Sequence, residues 1–330
     1  MSSESSFSTS SNPDVIPGRP TWHQTMLRIK DPQKSLEFYT KHLGFTHIDT
    51  FDFPQWKFSL YFLTSIPKGA PYNLQAGTQA AHDCLWNMAG TTLELTHNYG
   101  TETDESQKYH VGNEEKDGFG HIAVNVDDVY QFCEKLERAG CQFKKKPDEG
   151  RMKGLAFVYD PDGYWVEIVK RGDDHEIEEE TNFSQTMLRV KDPKKSLDFY
   201  QKLGMKLLEV KHFDDFSLYF LGSSVVNTNI GYKNQFQPVL ELTHNHGTEN
   251  DESFKYYNGN EAGRQGFGHI GFLVDDVYQA CDAIRPWGYG FRKDVDDGNM
   301  KGLAFAYDPD GYSVEIIKRG GIDFGDQRKE

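Results

Sequence analysis

Thr25 to Lys30 alternates polar and apolar residues, the period of a half-buried strand. Asp31-Pro32 then opens a helix, with Asp as N-cap and Pro in the first turn. Leu36, Tyr39 and Leu43 supply its apolar stripe, and Gly44 ends it. Strands are predicted near Phe45–Thr50, Lys57–Leu63 and Thr92–His97. The order then begins again. A strand over Gly120–Val126 leads to a helix from Asp127, with Val129, Phe132, Cys133 and Leu136 on one face and Gly140 as its stop. Strands near Gln142–Lys146, Leu155–Tyr159 and Tyr164–Lys170 complete the unit. Cys133, and Cys281 at the matching place further on, sit on an apolar helix face and read as core.

The whole pattern occurs twice. QTMLRIKDPQKSLEFY from Gln24 returns as QTMLRVKDPKKSLDFY from Gln185. FSLYFL, LELTHN, GFGHI, MKGLAF and YDPDGY recur in the same order. The chain therefore reads as α+β, four β-α-β-β-β modules, two per half. The expected layout is a tail over 1–20, a first domain over 21–171, an acidic linker over 172–182, a second domain over 183–320 and a tail over 321–330. The offset between copies is 161 at Gln24/Gln185 and 147 at Glu94/Glu241, so the first copy carries 14 extra residues before Thr91. The stretch SIPKGAPYNLQAGTQAAHDC from Ser65 reads as an enlarged surface loop.

Composition narrows the function. The 330 residues carry a formal charge of −15, which opposes nucleic acid and anionic membranes. No apolar run is long enough to span a bilayer. The four cysteines form no CxxC pair, and a chain of this length needs no staples, so a reducing compartment, the cytoplasm, is expected. The first twenty residues are Ser- and Pro-rich without an apolar core and read as disordered, not as a secretory signal. The sequon at Asn182 is then incidental.

Strand alternation sorts the polar residues by face. Gln24 shares a face with Met26 and Arg28; Glu94 points with Thr92 and Thr96; His121 points with Phe119; Glu167 shares its face with Trp165. Each lies opposite its aliphatic neighbours. The second half repeats the set as Gln185, Glu241, His269 and Glu315. A single mid-strand Glu is ordinarily a solvent-facing residue. Four such residues on four strands, repeated in kind, form an N/O metal site if the sheet curls to bring them together. Two converging carboxylates would otherwise repel, and one would protonate. His97 and His244 have the opposite parity and read as structural or rim residues.

QTMLR-KDP-KSL-FY, FSLYFL, LELTHN-GTE-DE, GFGHI, MKGLAF and DPDGYW-EI resemble the glyoxalase I (lactoylglutathione lyase) family of the eukaryotic long type, in the fused two-domain form seen in fungi. The resemblance covers nearly all of the chain. It implies vicinal oxygen chelate (glyoxalase-like) barrels and isomerisation of the glutathione hemithioacetal of methylglyoxal. It also implies that each metal site draws on both halves. Gln24 and Glu94 would join His269 and Glu315, and Gln185 and Glu241 would join His121 and Glu167. Sequence alone equally allows each half to build its own site. By resemblance Glu167 and Glu315 are the principal bases, and Glu94 and Glu241 serve the opposite substrate hand. The metal implied is zinc, two per chain, with nickel, cobalt and manganese also compatible with the ligand set.

Glutathione carries two carboxylates, so an acidic protein needs placed cations. Arg28 and Arg189 share faces with Gln24 and Gln185, and a guanidinium suits a carboxylate. The family pattern adds Asn98, Asn245, Lys145, Lys293, Met152 and Met300 as substrate contacts, with Trp165 lining one pocket. Two departures make the sites unequal. Asp117 and Gln265 stand where the family commonly has Arg, with Arg264 one residue away as a replacement, and Ser313 stands where the first copy has Trp165. The fused halves supply the interface of a dimer, so a monomer with an internal pseudo-dimer is expected. An Fe(II) dioxygenase on this fold would need a second His where Gln24 and Gln185 stand. A non-catalytic metal or ligand binder, or one working site beside a degenerate one, are the remaining alternatives.

Overall fold

The computed structural model describes residues 14–322, apart from Pro71 and Lys116. Sixteen strands form two eight-stranded sheets. The first module contributes β1 (Thr21–Ile29), β2 (Thr46–Phe53), β3 (Phe58–Thr64) and β4 (Thr92–Asn98). The second contributes β5 (Phe119–Val126), β6 (Phe143–Lys145), β7 (Ala156–Tyr159) and β8 (Trp165–Lys170). The third has β9 (Asn182–Arg189), β10 (Lys206–His212), β11 (Phe216–Gly222) and β12 (Val239–Asn245). The fourth has β13 (Phe267–Val274), β14 (Phe291–Lys293), β15 (Leu303–Tyr307) and β16 (Ser313–Lys318).

Neither sheet belongs to one half. One runs β14-β15-β16-β13-β1-β4-β3-β2 and the other β10-β11-β12-β9-β5-β8-β7-β6. Module one thus joins module four, and module two joins module three. The seams are antiparallel, β1 on β13 and β5 on β9. Equivalent residues of the two copies meet, as at a two-fold axis. Thr25 and Thr186 share a hydroxyl hydrogen bond of 2.7 Å, and the Phe119 and Phe267 rings stack at 5.2 Å. One apolar core runs through both halves, from Trp22 and Tyr39 to Tyr200, Tyr312 and Ile316.

Each module's helix is N-capped by an Asp whose carboxylate accepts from backbone N–H groups of the first turn. These helices are α1 (Pro32–Glu37), α3 (Val129–Arg138), α4 (Pro193–Lys202) and α5 (Val277–Ile284). A π-helical turn, Phe38–His42, extends α1. Cys133 and Cys281 are buried in the core, where burial pushes both thiols up to about 12.

Three features differ from the sequence reading. The enlarged loop of the first copy contains a helix, α2 (Gln79–Asn87), capped by Thr78, with Ala81, Leu85 and Trp86 buried. Its apolar face has too few turns to stand out as periodic. The 14 extra residues are also divided: the offset is 160 at Gly44/Gly204 and 158 at Phe58/Phe216, so one of them lies at the end of the first helix and two in the hairpin that carries Trp56. Residues 1–13 of the expected disordered tail lie outside the described residues, but within 14–20 Ile16 and Pro20 are buried. The Ile16 N–H donates to the Lys202 carbonyl at 3.0 Å, and Arg19 forms a two-pronged pair with Asp275 at 2.7 and 2.8 Å. Ile16 gives this segment the apolar anchor that a Ser-rich stretch lacks. At the other end Ile322 still packs against a hydrophobic cluster.

Two candidate metal centres

The strand register builds the first centre on four neighbouring strands. On one rung Gln24 lies opposite Gly271, which lies opposite Glu315. On the next rung Met26 lies between Glu94 and His269. Residues two apart on a strand share a face, so all four functional side chains converge. Gly271 leaves the space that the Gln24 side chain fills here, since a Cβ would meet Gln24 Cδ at 2.6 Å. Gln24 Nε2 donates to Glu315 Oε2 at 2.6 Å and to Glu94 Oε2 at 3.2 Å. His269 Nε2 is 3.3 Å from both carboxylates. The second centre repeats this with Ala123 in place of Gly271. Gln185 Nε2 donates to Glu167 and Glu241 at 2.8 Å each, and His121 Nε2 is 3.4 and 3.8 Å from the same carboxylates.

Both clusters are buried, and their ligand atoms lie within 4.8 Å of one another. Burial disfavours the His269 imidazolium, but Glu94 and Glu315 outweigh it and raise the pKa to about 9. Burial likewise opposes charge on His121, which Glu167 and Glu241 still raise. Burial lifts Glu241 to about 7; the neighbouring Glu167 charge adds to this against the pull of His121. His269 Nε2 and Gln185 Oε1 are buried without a hydrogen-bond partner. Two carboxylates, an imidazole and an amide aimed at one point, with orphaned ligand atoms among them, fit a divalent cation of the N/O-preferring kind.

Around the first centre, the Phe305 ring is edge-on to His269 at 5.3 Å, and Arg292 lies over that ring at 4.2 Å. An adjoining pocket of about 300 Å³ is lined by Trp56, Phe58, Lys293, Met300 and Phe305. Lys293 Nζ donates to the Leu303 carbonyl at 2.7 Å, and Lys145 Nζ to that of Leu155 at 2.5 Å. Met152 is exposed, unlike Met300, which packs into a cluster. Trp165 stands on the same rung as His121 of the second centre, beside Phe157 and under Lys144. It also lines a groove of about 1390 Å³. At the matching place Ser313 is fully buried.

Arg28 Nη1 donates to three carbonyls, Gly259, Gly266 and Phe267, at 3.2–3.3 Å, and Nη2 to Asn260 Oδ1 at 2.8 Å. Arg189 repeats this on Gly112, Gly118, Phe119 and Asn113. Each guanidinium thus pins a loop of the other half, and burial lowers the pKa of both. Asn245 donates to the Tyr256 hydroxyl at 3.1 Å, whereas the matching Tyr109 hydroxyl is buried without a hydrogen-bond partner. Arg264 does not replace the missing family arginine as a free cation. Its Nη1 is 2.8 Å from Asp117 and 3.0 Å from Glu115, because Asp117 is itself nearly buried and requires a counter-charge. His97 and His244 are structural, each 2.7 Å from a nearby carboxylate, Glu102 and Glu249. The Asn182 side chain is wholly buried, bonded to Arg171 and backbone carbonyls.

Sequence reasoning missed Trp56, Arg292 and His23. His23 and Arg292 fall where the copies differ beside a matched residue, and Trp56 falls in the longer hairpin of the first copy, signals that repeat matching discards.

The fold and both centres place the chain in a known class: residues 21–168 and 182–316 match the Glyoxalase/Bleomycin resistance protein/Dioxygenase superfamily, and the chain belongs to it. Within that class it is 43% identical to glyoxalase I of Saccharomyces cerevisiae, across 90% of this chain and 92% of that protein. It is 40% identical to lactoylglutathione lyase of Schizosaccharomyces pombe, across 90% and 96%. The crystal structure of glyoxalase I from Zea mays superposes with a TM-score of 0.66 at 27% identity, covering 91% of this chain and 92% of that one.

Proposed function

We propose that the chain is a lactoylglutathione lyase, converting the hemithioacetal of methylglyoxal and glutathione into S-D-lactoylglutathione and so detoxifying methylglyoxal. The observation that carries this is the pair of buried Gln/Glu/His/Glu clusters, each assembled from both halves. We assign zinc to both, Gln24, Glu94, His269 and Glu315 holding one ion and Gln185, Glu241, His121 and Glu167 the other.

A divalent ion supplies Lewis-acid stabilisation of the negative charge that develops on the substrate's two adjacent oxygens. Glu315 and Glu167 act as the principal bases. Each takes the proton from the carbon bearing sulfur, giving an enediolate, and returns it to the neighbouring carbon. Glu94 and Glu241, on the opposite side of each cluster, serve the other hand of the hemithioacetal. The buried strands around each cluster keep water from the transferred proton. Lys293, Met300 and Trp56 hold the substrate at the first centre, and Lys145, Met152 and Trp165 at the second. Arg28, Arg189, Asn98 and Asn245 order the glutathione end. The working form is a cytoplasmic monomer, the two halves acting as an internal dimer.

The sites are unequal, because only the second has Trp165 and only the first has Trp56. Metal stoichiometry measured with methylglyoxal–glutathione turnover tests the proposal. One metal per chain overturns the two-site assignment, and full metal without turnover overturns the enzyme. Activity that vanishes with Glu315→Gln alone, while both metals stay bound, favours a single working site.

A further inference from the structure

His23 precedes Gln24 on β1 and is completely buried. Its ring stacks on Trp86 of α2, with centroids 5.2 Å apart. Nε2 lies 2.9 Å from the Leu85 carbonyl, also in α2, and Nδ1 is in hydrogen-bond contact with the Gln24 side-chain amide. The second copy has none of this. Ser184 occupies the position of His23 and bonds Asn125 at 2.8 Å instead of Gln185, and only a single 3-10 turn, Tyr232–Asn234, stands in the place of α2.

A carbonyl oxygen only accepts, so Nε2 must carry the proton. The ring is fully buried against Trp86 with no carboxylate among its hydrogen-bond partners, an environment that takes a neutral imidazole. Nδ1 is then a lone pair, and it requires a donor. The structure has Gln24 Oε1 against it, a second lone pair, with Nε2 turned to Glu94 and Glu315. The two ends of an amide are nearly alike in shape, and chemistry decides between them. Turned by 180°, the amide gives Nε2–H to His23 and points Oε1 at the centre of Glu94, His269 and Glu315. That direction is the one a metal ligand needs.

We propose that His23 is a positioning residue for the first centre: held in one tautomer by the Leu85 carbonyl, it orients the Gln24 amide so that its oxygen faces the cation. The insertion of the first copy is then the scaffold of an outer shell around that site, one the second site lacks. The inference rests on the assignment of a metal to the cluster.

The test uses the full chain with the second site disabled by Glu167→Gln and Glu241→Gln, zinc as the probe, and competition with a chromogenic chelator as readout. His23→Leu fills the space without an acceptor and is expected to weaken zinc binding about 10- to 100-fold, the usual cost of an outer-shell partner. His23→Asn, which keeps an acceptor oxygen, recovers most of the loss. In a Gln24→Glu background no amide needs orienting, so His23→Leu costs less than about threefold, well short of the outer-shell loss. In the chain with both sites intact, zinc retained at the second site reports that His23→Leu still folds. Unchanged affinity in His23→Leu, or an equal loss in the Gln24 and Gln24→Glu backgrounds, overturns the inference. Failure of the unaltered chain to bind zinc at the first centre overturns the metal assignment itself.

Discussion

Gln24 and Glu315 stand 291 residues apart in the chain, yet the end of the Gln24 side-chain amide lies 2.6 Å from Glu315 Oε2. The contact spans the two halves, and so does its counterpart between Gln185 and Glu241 on one side and Glu167 on the other. Each centre therefore exists only when β1 pairs with β13 or β5 with β9.

That relationship fixes which variants share a site. Glu94→Gln and Glu315→Gln are expected to be non-additive, the pair leaving the same residual turnover as the worse single change. Glu94→Gln with Glu167→Gln strikes both centres and should reduce kcat at least about 100-fold, the lower range for losing a general base. Steady-state kinetics of the three singles and two pairs decide this. Additive loss for Glu94 with Glu315 contradicts the shared centre.

Removing metal should also be visible as stability. Each cluster gathers two buried carboxylates, and a cation bound only by the folded chain stabilises it by mass action. Chelation is expected to lower the melting temperature, and zinc to restore it until two equivalents are bound. A melting temperature indifferent to chelator argues against ions at these clusters.

Trp165 and Ser313 separate the centres in substrate binding. With Glu315→Gln silencing the first centre, Trp165→Ser should raise KM about fivefold, the equivalent of roughly 1 kcal/mol of lost aromatic contact. kcat should change little, since the indole lies a rung away from Glu167. A fall in kcat at constant KM would place Trp165 in the chemical step instead.

Asp160 gives the fold a pH dependence apart from the metal sites. Burial raises its carboxyl to about 7, the Asp162 charge adds to this, and hydrogen bonds from Tyr39 and the Tyr164 and Asp162 N–H groups offset it only partly. The folded pKa lies above the ordinary carboxyl value, so its contribution is full below about pH 4 and fades as pH rises through about 7. Asp160→Asn keeps an acceptor for the backbone donors. Its melting temperature should therefore fall less than that of the unaltered chain between pH 5 and about 8. Parallel curves would show that Asp160 is already ionised throughout.

Much of the fold was legible in the chain because it rests on local rules. Period-two alternation gave the strands, Asp caps and terminal glycines gave the module helices, and the doubled motifs gave four modules. The parity of Gln24, Glu94, His121 and Glu167 on their strands put each on the face opposite its aliphatic neighbours before any contact was known. The short helix at Gln79–Asn87 and the docking of Ile16 were not legible, since each depends on a surface supplied from far along the chain.

The sequence by itself determined the residue types, their faces and their duplication. Only the tertiary structure decided partnership: whether Gln24 would meet His121 or His269 depends on which strands form the seam, and strand pairing between modules is set by long-range burial, not by local pattern. It also decided the fate of the cations and of His23. Arg264 is spent on Asp117, Arg28 and Arg189 pin loops of the opposite half, and His23 touches Leu85, because burial obliges every polar group to find a partner wherever the chain brings one.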